Sequence, residues 1–160
     1  MQENQEAIQL KVGDKVPDFS FEAYAEGEIK KLKISDYAGK WLILFFYPAD
    51  FTFVCPTELK EMAAYYKEFQ AEGAEIISVS TDTAFAHKAW HDTSDSIKQI
   101  KFPMAADPSH QLCQAFGTHI SQEGLSLRGS FIIDPEGILK TIEINDNSIG
   151  RSAEELLRRC

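Results

Sequence analysis

The chain has 160 residues, of which 44% are hydrophobic and 26% are charged, and its formal net charge is −9 at pH 7. This length allows one domain with a substantial core and is short for two ordinary domains, so we predict a single domain over residues 1–160. An acidic protein is poorly suited to bind nucleic acid or an anionic membrane, since both attract basic surfaces, and we expect neither as a partner.

The N-terminus and the cysteine content bear on the cellular compartment. Residues 1–6 are polar and acidic, without the basic and apolar segments of a secretory signal, and no later apolar run is long enough to span a bilayer. The chain has three cysteines, Cys55, Cys113 and Cys160, and an odd number cannot form a complete disulfide framework. We therefore predict a reducing, cytoplasmic location.

The N-terminal part of the chain predicts short strands ahead of a central one. Glycine, aspartate and proline interrupt residues 11–33 repeatedly, which is typical of two or three strands joined by turns. A polar connection over residues 35–40 leads to the apolar run from Trp41 to Tyr47. Because that run has no internal alternation, it predicts a strand that is covered on both faces.

Cys55 lies where this strand gives way to a helix. Apolar residues recur with helical spacing from Leu59 to Phe69, Pro56 suits the first helical position, and Gly73 suits the helix end. At a helix start, free N–H groups and the macrodipole favour a thiolate. The position indicates a nucleophile, although a buried and inert cysteine is the alternative that the residue type alone favours.

The rest of the chain continues to alternate between strands and helices. The sequence predicts a buried strand over residues 75–80, a helix from Thr83 to His91, and a charged connection over residues 95–101 that is helical or irregular. A short strand near a sheet edge over residues 102–107 and a small helix over residues 109–116 follow. The chain then forms an antiparallel hairpin over residues 127–144 and a final helix that begins at Ser152. This order predicts an α/β fold with a central mixed sheet flanked by helices.

The histidines do not form a recognisable ligand set with the cysteines. His87 and His91 are four residues apart on a predicted helix and could hold a metal ion between them. We interpret the pair instead as part of a solvated helix face, and we expect neither a metal ion nor another cofactor.

Three residues around the candidate nucleophile carry a resemblance to a known family. Pro48, Thr52 and Cys55 match the Pro-x-x-x-Thr-x-x-Cys signature of the peroxiredoxins, and the longer string from Phe45 to Glu58 resembles the bacterial alkyl hydroperoxide reductase C branch of that family. The resemblance implies a thioredoxin-like fold with an N-terminal β extension. It also implies a thiol-dependent peroxidase that reduces hydrogen peroxide and organic hydroperoxides, in antioxidant defence and redox homeostasis.

The resemblance assigns roles to five residues. Cys55 is the expected peroxidatic nucleophile, which attacks the peroxide and becomes a sulfenic acid. The Thr52 hydroxyl is expected to hydrogen-bond the peroxide or the thiolate, and Pro48 to shield the sulfur from water. Arg128 is expected to stabilise the thiolate by its charge. Glu58 is expected to orient Arg128, although a first-turn acid favoured by the helix dipole is an equally good explanation.

The resolving thiol is where this sequence departs from the family pattern. Typical two-cysteine members carry a resolving cysteine in a Val-Cys-Pro tail beyond the last helix, whereas this chain stops at Cys160. Three explanations remain open: a truncated chain, Cys160 as an unusual resolving thiol, or an external thiol. Cys113 has apolar neighbours and is predicted to be a buried structural residue.

The family resemblance also implies partners and alternatives. The expected partners are a hydroperoxide substrate, a thiol reductant (a thioredoxin-like protein or a dedicated flavoprotein disulfide reductase), and further copies of the chain in a homodimer or a decamer of five dimers. A ring-forming holdase chaperone or scaffold is one alternative function. A thiol–disulfide oxidoreductase is another, but Glu58 stands where a second cysteine of a Cys-x-x-Cys motif would be.

Overall fold

A computed structural model of the chain describes residues 9–51 and 54–159, with the backbone alone for Val54 and Cys55. Its strands are β1 (Ser20–Ala25), β2 (Glu28–Lys33), β3 (Trp41–Phe46), β4 (Ala74–Ser80), β5 (Met104–Ala106), β6 (His119–Ile120), β7 (Leu125–Ser126), β8 (Arg128–Ile133) and β9 (Leu139–Asn145). Its α-helices are α1 (Val54–Ala64), α2 (Tyr66–Ala71), α3 (Ala84–Thr93), α4 (Gln111–Ala115) and α5 (Ala153–Arg158).

Seven of these strands form one mixed sheet in the order β2-β1-β5-β4-β3-β8-β9. Strands β3, β4 and β5 run parallel to one another, and the remaining pairs are antiparallel. Helices follow β3 and β4, as the crossover between parallel strands requires. The α/β prediction is therefore confirmed.

Strand β3 lies inside the sheet and is covered on both faces, as its unbroken apolar sequence predicts. Leu42, Leu44 and Phe46 belong to one buried cluster, and Ile43 and Phe45 belong to the cluster on the other face. Because successive side chains of a strand point to opposite faces, one apolar run supplies both cores. The C-terminal end of β3, which leads into the Cys55 segment, is therefore packed against a core on each face of the sheet.

The prediction that residues 102–107 form a strand near a sheet edge is wrong in its position. Strand β5 is paired on both sides, parallel to β4 and antiparallel to β1. Pro103 lies just before the strand and still contributes to the pairing with β4, because its carbonyl oxygen accepts a hydrogen bond from the Ser78 N–H. The N-terminal β1–β2 hairpin covers what would otherwise be an edge.

The helix that follows Cys55 also differs from its prediction. It is divided at Tyr65, which has φ −94° and ψ 1°, into α1 and α2, rather than continuing unbroken to Phe69. Pro56 is the third residue of α1 and not the first. It is still tolerated there, because the first turn has N–H groups without intrahelical partners. Gly73 has φ 81° and ends the helical segment as predicted.

The remaining differences are small. The polar connection predicted before β3 contains a 3₁₀ helix, Ile34–Tyr37. A second 3₁₀ helix, Ile97–Gln99, lies in the charged connection, which agrees with the prediction of a helical or irregular segment there. The short β6–β7 hairpin was not predicted, since its strands have two residues each. The β8–β9 hairpin and the Ser152 cap of α5 are confirmed. Among the residues described, no helix is both long and apolar enough to cross a membrane.

Candidate active site

A buried cluster of three charged side chains lies beside the start of α1. The Arg128 Nη1 atom is 2.7 Å from Glu58 Oε1, and Arg151 contacts both oxygens of the same carboxylate, with Nη2 2.9 Å from Oε1 and Nε 3.1 Å from Oε2. None of the three side chains is more than 4% exposed. Two guanidinium groups and one carboxylate give the cluster a formal charge of +1.

Both arginines are held in place by further contacts. Arg128 is the first residue of β8, and its Nε donates to the Asn147 carbonyl oxygen at 2.9 Å. Arg151 donates to the Gly129 carbonyl oxygen at 2.8 Å, and its guanidinium carbon lies 3.6 Å from the centre of the Phe45 ring. Charge-assisted bonds and backbone acceptors fix the orientation of both guanidinium groups, and the Phe45 ring also packs against that of Arg151.

The structure describes some of the predicted site residues and not others. Arg128 and Glu58 contact each other, and Pro48 is buried in the loop after β3. The backbone of Cys55 lies in the first turn of α1, three residues before Glu58. Thr52 and Cys160 lie outside the described residues, and so does the Cys55 side chain. The catalytic roles of these residues therefore remain predictions.

Arg151 belongs to the cluster and was missed by the sequence reasoning. It directly precedes Ser152, whose hydroxyl caps α5 by accepting from the Glu155 N–H. The Ala153 N–H donates to Glu61 Oε1 at 2.6 Å, so α5 is attached to α1 one turn beyond Glu58. The only feature of the sequence that could have indicated a role for Arg151 is its position immediately before a helix cap, and this feature is weak evidence.

A second buried polar network anchors the loop that precedes α1. Asp50 accepts from the Tyr47 hydroxyl at 2.6 Å through Oδ1, and its Oδ2 lies 2.7 Å from His87 Nδ1. Its backbone N–H donates to Asp82 Oδ2 at 2.7 Å. Burial raises the pKa of the Asp50 carboxyl. Although burial alone would lower it, the pKa of His87 is raised, because the ring is bonded to Asp50.

The interpretation of His87 and His91 as a solvated helix face is wrong. His87 is fully buried, with Nε2 2.9 Å from the Ala105 carbonyl oxygen, and His91 is half-buried with Nε2 3.0 Å from the Ile100 carbonyl oxygen. Each ring thus has a separate acceptor, and the pair does not converge on a common point. Among the side chains that the structure describes, which exclude that of Cys55, no three histidine, cysteine or acidic groups are arranged to hold a metal ion.

Cys113 is buried, as predicted. Its thiol lies in α4 beside Asp107, which accepts from the Leu112 and Cys113 N–H groups at 2.9 Å. Burial, reinforced by the Asp107 carboxylate, raises the pKa of the Cys113 thiol far above its usual range. A thiol that is both covered and protonated is a poor nucleophile, so Cys113 has a structural place in the core.

Comparison with known proteins agrees with this geometry. The sequence model of the AhpC/TSA family matches residues 12–142. The chain is 47% identical to the alkyl hydroperoxide reductase C of Pseudomonas aeruginosa over 148 residues, which cover 92% of this chain and 79% of that protein. It is 43% identical to the thioredoxin peroxidase of Echinococcus granulosus over 150 residues, covering 92% and 78% respectively.

Solved structures give the same result at the level of the fold. The crystal structure of Enterococcus faecalis AhpC superposes with a TM-score of 0.91 at 49% identity, over 92% of this chain and 89% of that one. The reduced 2-Cys peroxiredoxin of Plasmodium vivax superposes with a TM-score of 0.88 at 31% identity, over 92% and 79%. The predicted thioredoxin-like fold and the sequence resemblance are both confirmed, and this chain belongs to the AhpC/TSA family of peroxiredoxins.

Proposed function

We propose that this chain is a thiol-dependent peroxidase whose nucleophile is Cys55. The observation that carries the proposal is the buried cluster of Glu58, Arg128 and Arg151, with its formal charge of +1. Residues three apart on an α-helix share a face, so position 55 lies on the face of α1 that meets the cluster through Glu58. An anion at position 55 would neutralise the cluster.

The electrostatics favour a thiolate at that position. Burying net charge is costly in the protein interior, and the cost falls when an opposite charge lies nearby. The first turn of α1 adds its N–H groups and the positive end of the helix dipole. Both effects stabilise the charged form of a cysteine and lower its pKa. Cys55 would therefore be ionised at neutral pH, whereas Cys113 would not.

The reaction follows from that charge state. The Cys55 thiolate attacks one oxygen of a hydroperoxide, an S–O bond forms as the O–O bond breaks, and the departing oxygen leaves as water or an alcohol after taking a proton. Cys55 becomes a sulfenic acid. The guanidinium of Arg128 stabilises the negative charge that develops on the departing oxygen. Thr52 would supply a hydroxyl hydrogen bond, and the buried Pro48 would exclude water.

Turnover requires a thiol that reduces the sulfenic acid. Cys113 is unsuited to this step because it is buried and its pKa is raised. The open choices are Cys160, a cysteine beyond residue 160 in a longer chain, and an external thiol. The name of the Echinococcus relative, thioredoxin peroxidase, favours a thioredoxin-like reductant over a dedicated flavoprotein disulfide reductase. The cytoplasmic location stays a prediction from the sequence.

One end of the described sheet suits a homodimer interface. Strand β2, at one end of the sheet, carries three lysines, which discourage pairing with another strand. Strand β9, at the other end, is rich in β-branched residues and exposes Ile142. Antiparallel pairing of two β9 strands would give a symmetric interface that joins the sheets of two copies.

A larger assembly would use a different surface. Phe51 and Phe85 are 60% and 73% exposed, and both lie near the Asp50–His87 network. Exposed aromatic side chains of this size are typical of association surfaces. We assign them to contacts between dimers in an assembly of up to five dimers. Sedimentation of the wild type against Phe85→Glu would test this assignment, since a species larger than a dimer should disappear in the variant.

The enzymatic proposal is tested by peroxide consumption in the presence of a dithiol reductant. Cys55→Ser should abolish consumption of hydrogen peroxide and of an alkyl hydroperoxide, because no other described thiol is ionised and accessible. Cys113→Ser is the matched control and should retain the activity. Retained turnover in Cys55→Ser would exclude Cys55 as the nucleophile. Suppression of aggregation without any peroxide consumption by the wild type would favour the holdase alternative.

A further inference from the structure

We propose that His110 and His119 form a binding site for one divalent transition-metal ion, and that Cu²⁺ fits this site best. The site lies between α4 and the short β6–β7 hairpin, outside the charge cluster that contains Arg128. Nine residues separate the two histidines in the chain, so the pair was not predicted from the sequence. The inference is independent of the proposed peroxidase function, because the metal ion takes no part in that reaction.

The two imidazole rings face each other through one nitrogen each. The His119 Nε2 atom lies 2.9 Å from His110 Nδ1, and the ring centres are 4.7 Å apart. Both rings are half-buried, so an ion can reach them from solvent. Within the part of the chain that the structure describes, the outer nitrogens, His110 Nε2 and His119 Nδ1, have no hydrogen-bond partner. The pair therefore has two facing nitrogens and two outer nitrogens that are free to carry hydrogens.

The backbone holds both histidines in this arrangement. His110 directly precedes α4 and has φ 66°, a left-handed conformation that histidine adopts more often than most residues. His119 pairs with Ser126 in the β6–β7 hairpin. The Thr118 N–H donates to the Cys113 carbonyl oxygen at 2.9 Å, which joins the hairpin to α4. The two rings are thus brought together before any ion binds, and little ordering is left to oppose binding.

The distance between the facing nitrogens matches two neighbouring ligands of a tetragonal metal ion. Imidazole nitrogens lie about 2.0 Å from such an ion, so two of them at a right angle are about 2.8 Å apart. The same bond lengths at a tetrahedral angle place the nitrogens about 3.3 Å apart. The observed 2.9 Å is closer to the right-angled value. Tetragonal coordination by nitrogen and oxygen is typical of Cu²⁺ and Ni²⁺, whereas structural Zn²⁺ sites are tetrahedral.

Binding requires that both facing nitrogens present a lone pair to the ion. At 2.9 Å in the absence of a metal, one of them carries a hydrogen that it donates to the other. When the ion binds, that nitrogen loses its hydrogen and the outer nitrogen of the same ring gains one. Each ring then stays neutral with one N–H, which is the usual state of a histidine ligand. No third histidine, cysteine or acidic side chain among those described joins the pair, so water completes the coordination.

The experiment is a titration of the protein with Cu²⁺, followed by calorimetry. The protein carries no histidine tag, and it carries Cys55→Ser and Cys160→Ser so that Cu²⁺ cannot oxidise these thiols; Cys113 is buried. Glycine is included as a competing chelator, which suppresses weak binding to the acidic surface. In this parent protein we expect one Cu²⁺ per chain, bound more tightly than Ni²⁺ or Zn²⁺, as the Irving–Williams order requires.

Two substitutions in the pair and one outside it are compared in the parent protein. His119→Ala removes one ligand, and His110→Asn removes the other while keeping a residue that tolerates the left-handed conformation. Each should weaken Cu²⁺ binding by at least about 100-fold, because even the partners that orient a ligand are worth about 10–100-fold in affinity. His91→Asn is the matched control, since His91 is half-buried and lies outside the pair, and it should bind Cu²⁺ like the parent.

Two further readouts distinguish the loss of a ligand from the loss of the fold. The electron paramagnetic resonance spectrum of the Cu²⁺ complex should be tetragonal, with splitting from two nitrogens. Excess Ni²⁺ should raise the Tm of the parent and of His91→Asn, but not of the two pair variants, because the ion binds only the folded pair. The Tm without metal shows whether each variant folds, and one folded pair variant is enough for the comparison.

Several outcomes would overturn the proposal. These are a parent protein that binds no Cu²⁺ in the presence of glycine, a folded pair variant that binds Cu²⁺ as tightly as the parent, and a spectrum without splitting from two nitrogens. Tighter binding of Zn²⁺ than of Cu²⁺ would refute the tetragonal geometry. Peroxide is absent from all of these measurements and position 55 is serine, so the result stands whether the proposed peroxidase function holds or fails.

Discussion

Replacing Arg128 by methionine removes one positive charge from the buried cluster and keeps a side chain of similar reach. The formal charge of the cluster then falls from +1 to zero. Glu58 keeps both bonds to Arg151, at 2.9 and 3.1 Å, so its carboxylate is not left alone in the interior. We expect the free energy of unfolding to fall by about 1.5–3 kcal/mol, the value of one hydrogen bond to a charged group.

The effect on catalysis should be larger than the effect on folding. We expect the rate of Cys55 oxidation to fall by about 10²–10³-fold, which is the usual loss when a fixed donor to developing charge is removed. The thiol pKa of Cys55 should rise in the same variant. The assay is rapid mixing of reduced protein with hydrogen peroxide, combined with a titration of the thiolate absorbance.

A control variant separates this effect from a general loss of positive charge. Arg158→Met removes an arginine that is exposed and paired with Glu155, so the rate and the Cys55 pKa should not change. If Arg128→Met oxidised within about threefold of the wild-type rate, the cluster would not act on the nucleophile, and the electrostatic reasoning would be refuted.

Three further predictions concern the fold. Phe131→Ala should lower the free energy of unfolding by about 3–5 kcal/mol in urea, because this fully buried ring packs against Phe46 and Phe116; a loss under about 1 kcal/mol would contradict that packing. Ser152→Ala should cost about 1 kcal/mol through loss of the α5 cap, measured in the same way. Stability should also decline as the pH rises through the folded-state pKa of His87, which lies above 6.5, because the His87 ring, bonded to Asp50, binds its proton more tightly in the folded state than in the unfolded chain; an unchanged decline in Asp50→Asn would contradict this.

Local features of the sequence were enough to predict the centre of the fold. The unbroken apolar run of β3, the helical spacing after Cys55 and the turn between β8 and β9 each depend on neighbouring residues, and the structure contains all three elements. The family resemblance offered contact with Arg128 as one of two explanations for Glu58, and the two side chains are 2.7 Å apart. The short signature around Cys55 therefore pointed to a contact between residues that are 70 positions apart in the sequence.

The features that were missed depend on contacts between distant parts of the chain. Strand β5 is interior because β1, about 80 residues earlier, pairs with it, and a proline before a short strand contains no information about that partner. Arg151 reaches Glu58 across 93 residues, and His87 is buried because Asp50 lies 37 residues before it. Helical spacing alone could not distinguish a buried histidine with two partners from a solvated one.

The central claim is that the cluster holds the Cys55 sulfur as a thiolate that reacts with an O–O bond. The most direct measurement is mass spectrometry of the reduced protein after a stoichiometric dose of hydrogen peroxide at neutral pH, with dimedone present to trap sulfenic acid. We predict a dimedone adduct on Cys55 and none on Cys113. An unmodified Cys55, with peroxide still present or with the oxidation at another residue, would contradict the account.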